Sequence, residues 1–216
     1  ILAMVGSKDY FNTEEDGQVN LTARLRQPGS SIKPLNYVTA LQLKLLNPAS
    51  ILLDYPTCFR VGPLAPYCPK NYDGSFHGPV SFREALANSY NIPAVKVLAI
   101  NSLESMIATA SAMGISTFTE PERYGLSLTL GGGEVTMLDM ATAFGTLANQ
   151  GVKVPLNPIL SITDYAGTNL VENQPASTAA TLTQFFDSNW LEGNLIGTTL
   201  GSLKRVLNRE PAYLIS

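Results

Sequence analysis

The amino-acid sequence predicts a globular domain built mainly of helices, with a few short strands. Three observations carry that expectation. Hydrophobic residues make up 45% and charged residues 14% of the 216, a globular composition that can bury a sizeable core. Apolar residues recur at helical spacing in several separate stretches. Short strand-like segments stand at residues 1–5 and on either side of Asp164-Tyr165-Ala166-Gly167.

Taken in order, residues 1–5 (Ile1-Leu2-Ala3-Met4-Val5) read as the end of a buried strand, followed by a polar loop. A helix begins near Ser30 and runs to Leu46, because Leu35, Val38, Leu41 and Leu45 recur at helical spacing and Asn47-Pro48 stops the run. Residues 48–80 are rich in Pro, Gly, Asn and Tyr and read mostly as loop. Ser81-Phe82-Arg83-Glu84 is a capping box that opens a short helix ending near Asn88. Asn91-Ile92-Pro93 breaks the chain before a helical stretch from Ala94 to Ile100. Ser102–Met113 is a further helix closed by Gly114. Thr136–Ala148 is amphipathic through Met137, Met140, Phe144 and Leu147. Residues 159–162 and 169–171 pair as a hairpin, and a last helix begins at 211–216. The helical subdomain therefore covers about 81–150. The stretch from 174 to 208 has no legible pattern.

Charge and cysteine usage narrow the function classes. A net charge of −3, from 14 basic and 17 acidic residues, leaves no electrostatic footprint for nucleic acid. No apolar run reaches the roughly 20 residues of a membrane span. His77 is the only histidine, so no metal site or cofactor is expected. Cys58 and Cys68 flank a Pro-rich loop; a disulfide and two free thiols both fit that spacing. The chain opens without an initiator methionine and stops inside a beginning helix, so both ends read as cut and say nothing about targeting segments.

The sharpest chemical signal is Gln27-Pro28-Gly29-Ser30-Ser31-Ile32-Lys33-Pro34. Ser30 and Lys33 stand three apart at a helix start and share one face. A serine hydroxyl becomes a nucleophile when a nearby base takes its proton. A lysine amine is such a base once burial depresses its pKa. The free N–H of Ser30 at the helix start can hold an oxyanion. A capping serine followed by a solvated lysine would leave the same short pattern. Ser89-Tyr90-Asn91 ends the capped helix, where a hydroxyl can relay a proton and an amide can hold a peptide carbonyl. Alone, it also reads as an ordinary helix-terminal turn.

Arg26-Gln27-Pro28-Gly29-Ser30-Ser31-Ile32-Lys33-Pro34 resembles the R-Q-P-G-S-x-x-K-P of bifunctional (class A) penicillin-binding proteins. The resemblance extends to Asn71-Tyr72-Asp73-Gly74, His77-Gly78-Pro79-Val80, Arg83-Glu84-Ala85-Leu86, Ser89-Tyr90-Asn91-Ile92-Pro93-Ala94-Val95 and Leu130-Gly131-Gly132-Gly133-Glu134-Val135-Thr136. It covers roughly residues 1–165. It implies the α+β penicillin-binding transpeptidase fold, an antiparallel sheet flanked by helices, of which this chain holds mainly the helical part. It implies Ser30 as nucleophile, Lys33 as general base, Ser89 as proton relay and Asn91 as a substrate contact. The substrate so implied is a peptidoglycan stem peptide ending in D-Ala-D-Ala, with β-lactams as inhibitors. The implied parent protein has a membrane anchor and an upstream glycosyltransferase domain, and acts at the outer face of the bacterial cytoplasmic membrane. A D,D-carboxypeptidase, a β-lactamase and a non-catalytic penicillin-sensing or scaffold module share the same motifs.

The family's third motif, Lys-Thr-Gly or Lys-Ser-Gly, is absent from the 216 residues. Truncation just upstream of it is the simplest expectation, and a fragment so cut should be acylated poorly. His77 is expected to serve the structure of its loop, with no Asp-His pairing.

Overall fold

Helix α1 (Lys33–Gln42) lies at the centre, and its residues explain why everything else wraps around it. Lys33, Leu35, Asn36, Tyr37, Val38, Thr39, Ala40 and Leu41 are all buried, so this helix presents no solvent face. A computed structural model of the chain describes residues 3–60, 65–156, 159, 161–172, 199–200 and 203–215. On one side of α1, Leu35 and Val38 join a core with α3 (Asn91–Asn101), α4 (Leu103–Met113) and α5 (Met137–Ala148) through Leu98, Met106, Met113 and Leu147. On the other side, Tyr37 and Ala40 pack with Leu52, Val80, Phe82 and Val97. The Tyr37 and Phe82 rings meet at 4.6 Å. Helices α3 and α4 pass from one to the other through a 95° bend. Among the described residues, no single helix is long and apolar enough to cross a membrane.

The strands form small antiparallel sheets. β1 (Ile51–Asp54) pairs with β2 (Gly78–Ser81), with Leu52 opposite Val80. β3 (Val152–Lys153) pairs with β7 (Leu203–Arg205), which pairs in turn with β6 (Thr199–Leu200). β4 (Ser161–Thr163) and β5 (Asn169–Glu172) form a hairpin. Helix α2 (Phe82–Ala87) starts on the Ser81–Glu84 capping box, with both reciprocal hydrogen bonds made. Helix α6 (Arg209–Ile215) packs against α1 and α5.

Several expectations need correcting. Ile1 and Leu2 lie outside the described residues, and Ala3, Met4 and Val5 are exposed and form no strand; an extended segment needs a neighbour to pair with. The first helix opens as a 3₁₀ turn over Gly29–Ile32 and ends at Gln42, not Leu46. Lys44 takes φ 56° and turns the chain away, which leaves Leu43 and Leu45 exposed. The segment 48–80 is mostly loop, as expected, and carries β1 and the start of β2. Towards the end of β1 the alternation is inverted in chemistry, because Leu53 faces out while Asp54 is fully buried. Pro93 does not break α3, which begins at Asn91. In a first turn proline has no intrahelical N–H bond to lose. Most of 174–208 lies outside the described residues.

Candidate active site

The site is built where the start of α1 meets the turn between α2 and α3. Gly29 takes φ +58°, the left-handed conformation that glycine adopts without penalty. This turns the chain so that Ser30 stands exposed on the first 3₁₀ turn. Ser31 closes the turn by donating its hydroxyl to the Pro28 carbonyl at 2.6 Å. Pressed against this turn is Gly131, at φ +92°. A Cβ there would lie 2.3 Å from the Gly29 nitrogen. The glycine turn 131–133 is thus a buttress for the loop that carries Ser30, which gives Gly131 a physical reason to lack a side chain.

Lys33 is 1% exposed. Its amine donates to the Ser89 carbonyl at 2.5 Å, the Ser89 hydroxyl at 3.0 Å and the Asn91 side-chain carbonyl at 2.7 Å. All three partners are uncharged, and among the described residues no carboxylate forms an ion pair with it. A buried ammonium without a counter-ion is costly. Burial accordingly pushes the amine down to about 8 from its ordinary 10.5.

Ser89 sits in an unusual place. Helix α2 ends in a Schellman motif, with the Tyr90 N–H on the Ala85 carbonyl and the Ser89 N–H on the Leu86 carbonyl. The residue at that corner must be left-handed, and glycine usually fills it. Here it is Ser89 at φ 56°. A non-glycine residue in this conformation carries strain, and such strain gathers at functional sites. The Lys33 amine holds the strained residue through both its carbonyl and its hydroxyl.

Asn91 is placed from two sides. As the first residue of α3, its N–H has no intrahelical acceptor and donates instead to the Asn71 side chain at 2.8 Å. Its own amide donates to the Lys70 carbonyl at 2.8 Å, which aims its oxygen at Lys33. Beneath the site, Asn36 is fully buried. It donates to the Ala94 carbonyl at 2.9 Å and the Thr129 hydroxyl at 2.8 Å, and accepts from Asn101 at 2.8 Å. One amide so ties α1 to α3 and to the segment 126–130.

Of the four residues expected here, the fold brings Lys33, Ser89 and Asn91 into hydrogen-bond contact. Ser30 is one turn before Lys33, yet its hydroxyl makes no hydrogen bond among the described residues, and the Lys33 amine donates instead to Ser89 and Asn91. Asn36, Asn71 and Gly131 were not expected as site residues. Asn71 and Gly131 stand in recognisable motifs, but only the folded contacts reveal their roles.

His77 is a correction. Its Nδ1 lies 2.7 Å from buried Asp54 and its Nε2 3.1 Å from Asp73, and its ring stacks on Tyr90 at 4.0 Å. An Asp-His pairing therefore exists, because strand β1 carries Asp54 beneath the 71–78 loop. Cys58 and Cys68 form a disulfide with Cα atoms 4.2 Å apart, closing the loop that precedes Lys70.

The model of the penicillin binding protein transpeptidase domain matches residues 1–194. Penicillin-binding protein 1C of Escherichia coli is 38% identical over 148 residues, 68% of this chain and 19% of that protein. Penicillin-binding protein 2D of Bacillus subtilis is 35% identical over 175 residues, 80% of this chain and 24% of that protein. The crystal structure of penicillin-binding protein 1A from Haemophilus influenzae superposes with a TM-score of 0.76 at 27% identity, covering 93% of this chain and 30% of that one. The chain thus spans about a fifth to a quarter of these two curated relatives.

Proposed function

The chain belongs to the penicillin-binding protein transpeptidase family, and on that premise we propose that it carries out serine acyl transfer on peptidoglycan stem peptides ending in D-Ala-D-Ala. The hydroxyl of Ser30 attacks the carbonyl of the penultimate D-Ala and gives its proton to the neutral amine of Lys33. The Ser30 N–H, at the helix start, receives the developing oxyanion. The protonated Lys33 returns the proton through the Ser89 hydroxyl to the leaving amine, so that the C–N bond breaks and D-Ala departs. An acceptor amine then attacks the acyl-enzyme, loses its proton by the same route, and frees Ser30. Asn91 holds the amide of the substrate as well as the lysine. β-Lactams acylate the same serine and stay attached.

The observation that carries this reading is the environment of Lys33, buried among neutral oxygens and pushed down to about 8. An amine so placed is neutral in roughly one molecule in ten at pH 7 and half neutral at about pH 8, and it stands one turn from a serine. A capping serine beside a solvated lysine would show none of this. We read residues 1–216 as part of a transpeptidase domain within a larger, membrane-anchored protein of the cell envelope that also carries a glycosyltransferase domain.

Incubating the protein, expressed in full, with a D-Ala-D-Ala stem peptide and an amine acceptor should release D-Ala and yield the amide-linked dimer. Free acid as the sole product would indicate a carboxypeptidase. Stable β-lactam binding with no D-Ala release would indicate a sensor or scaffold.

A further inference from the structure

We propose that His77, clasped between Asp54 and Asp73, is a positioning residue that holds Asn71 against Asn91 and thereby sets the reactive geometry of Lys33. The inference rests on the reading of Lys33 as the base.

The chain of contacts is continuous. Asp54 is fully buried on β1, and one of its oxygens, Oδ2, receives three donors from the 71–78 loop. These are the Asn71 side chain at 2.7 Å, the His77 N–H at 3.0 Å and His77 Nδ1 at 2.7 Å. Asn71 also donates to the Ser75 carbonyl at 2.9 Å. With both amide protons engaged, its oxygen is aimed at the N–H of Asn91. Asn91 then receives the Lys33 amine. The adjoining Lys70 carbonyl fixes the other end of the Asn91 amide. Two neighbouring residues of one loop therefore decide where a residue in direct contact with the base will sit.

The chemistry of the clasp requires a proton. Both ring nitrogens face carboxylate oxygens, which only accept, whereas neutral imidazole has a single N–H. The cation satisfies both partners. The neutral ring turns a lone pair toward one carboxylate. Hydrogen bonding to Asp54 first, then the charges of Asp73 and Asp54, hold His77 above its ordinary pKa against the opposing effect of burial. The groups facing it are Asp54 from β1, Asp73 from its own loop and the Tyr90 ring before α3. Lys96 of α3 donates to the Leu53 carbonyl at 2.6 Å and feels the charge of Asp54.

The test follows two readouts in the protein expressed in full. Penicillin acylation at Ser30 is measured against pH, and hydrogen exchange is measured over residues 89–93. The Asn91 N–H reports Asn71 directly, since no helical carbonyl protects it. His77→Gln should lower acylation by about 10- to 100-fold, the scale of a misplacement near 1 Å. In the unaltered protein the rate should fall at alkaline pH as His77 loses its proton and the clasp loosens; H77Q should remove that fall and speed exchange at Asn91 by tenfold or more. Asp73→Asn should abolish that alkaline fall, because a neutral histidine can donate to Asp54 and accept from the new amide. This second variant alters an exposed side chain and keeps the question open to decision if H77Q does not fold. Unchanged exchange and an unchanged pH profile in H77Q would overturn the proposal. So would a slowing that is equal at every pH, which is the mark of a merely structural role. Absence of any Ser30 adduct in the unaltered protein would overturn the proposed function instead, and exchange at Asn91 would still decide the role of His77.

Discussion

Replacing Lys33 by methionine gives a quantitative check on the buried amine. Methionine keeps an apolar stem of similar shape and removes the amine together with its hydrogen bonds to Ser89 and Asn91; that loss is the same at every pH and leaves the pH dependence to the titrating group. The displacement from 10.5 to about 8, at roughly 1.4 kcal/mol per pKa unit, amounts to about 3 kcal/mol. The sign follows from proton counting. Between those two values the unfolded chain holds a proton that the folded chain has released, so stability rises with pH across that window. Below about 8 both forms are protonated and the full penalty of burying the ammonium applies. Denaturant unfolding of the unaltered protein and of K33M, from pH 7 to pH 10.5, isolates the effect in the difference between them. That difference should shift by about 3 kcal/mol in favour of the unaltered protein as pH rises. Acylation of the unaltered protein should climb with pH as Lys33 loses its proton around pH 8, and fall again once His77 loses its own. A stability difference that stays flat across the window would refute the idea that Lys33 titrates early, and with it the case for a neutral base.

Three further substitutions probe the frame of the site. Ser89→Gly should leave stability within about 1 kcal/mol, because glycine suits the left-handed corner at φ 56°, while acylation falls sharply; thermal unfolding and penicillin labelling check the pair. Gly131→Ala should destabilise by more than about 1 kcal/mol, since it meets both a positive φ and the Gly29 backbone. It should slow acylation as well, measurable in the same two assays. Asn36→Ala strands the partners of a fully buried amide and should cost about 3 kcal/mol in chemical unfolding.

What was legible in the sequence and what was not divides along the range of the contacts. The capping box at Ser81, the closing glycine at 114 and the helix at 137–148 are local features, decided within a few residues. That Ser30 and Lys33 share one helical turn was legible for the same reason. The pairing of Lys33 with Ser89 and Asn91 was reached through resemblance, since nothing local joins residues so far apart. The clasp of His77 on Asp54 was missed because it spans a strand and a loop, and because a buried aspartate on β1 hides the alternation that marks a strand. The overlong first helix came from reading Leu45 as core. A left-handed Lys44 ends the helix before that residue can be buried.

The central claim is that Ser30 is the acylated nucleophile, and one measurement tests it most directly. The protein expressed in full is treated with benzylpenicillin, digested, and mapped by mass spectrometry. A single penicilloyl adduct on the peptide carrying Ser30, absent in Ser30→Ala, is the predicted result. An adduct on another residue, or equal labelling of the S30A variant, would contradict the account.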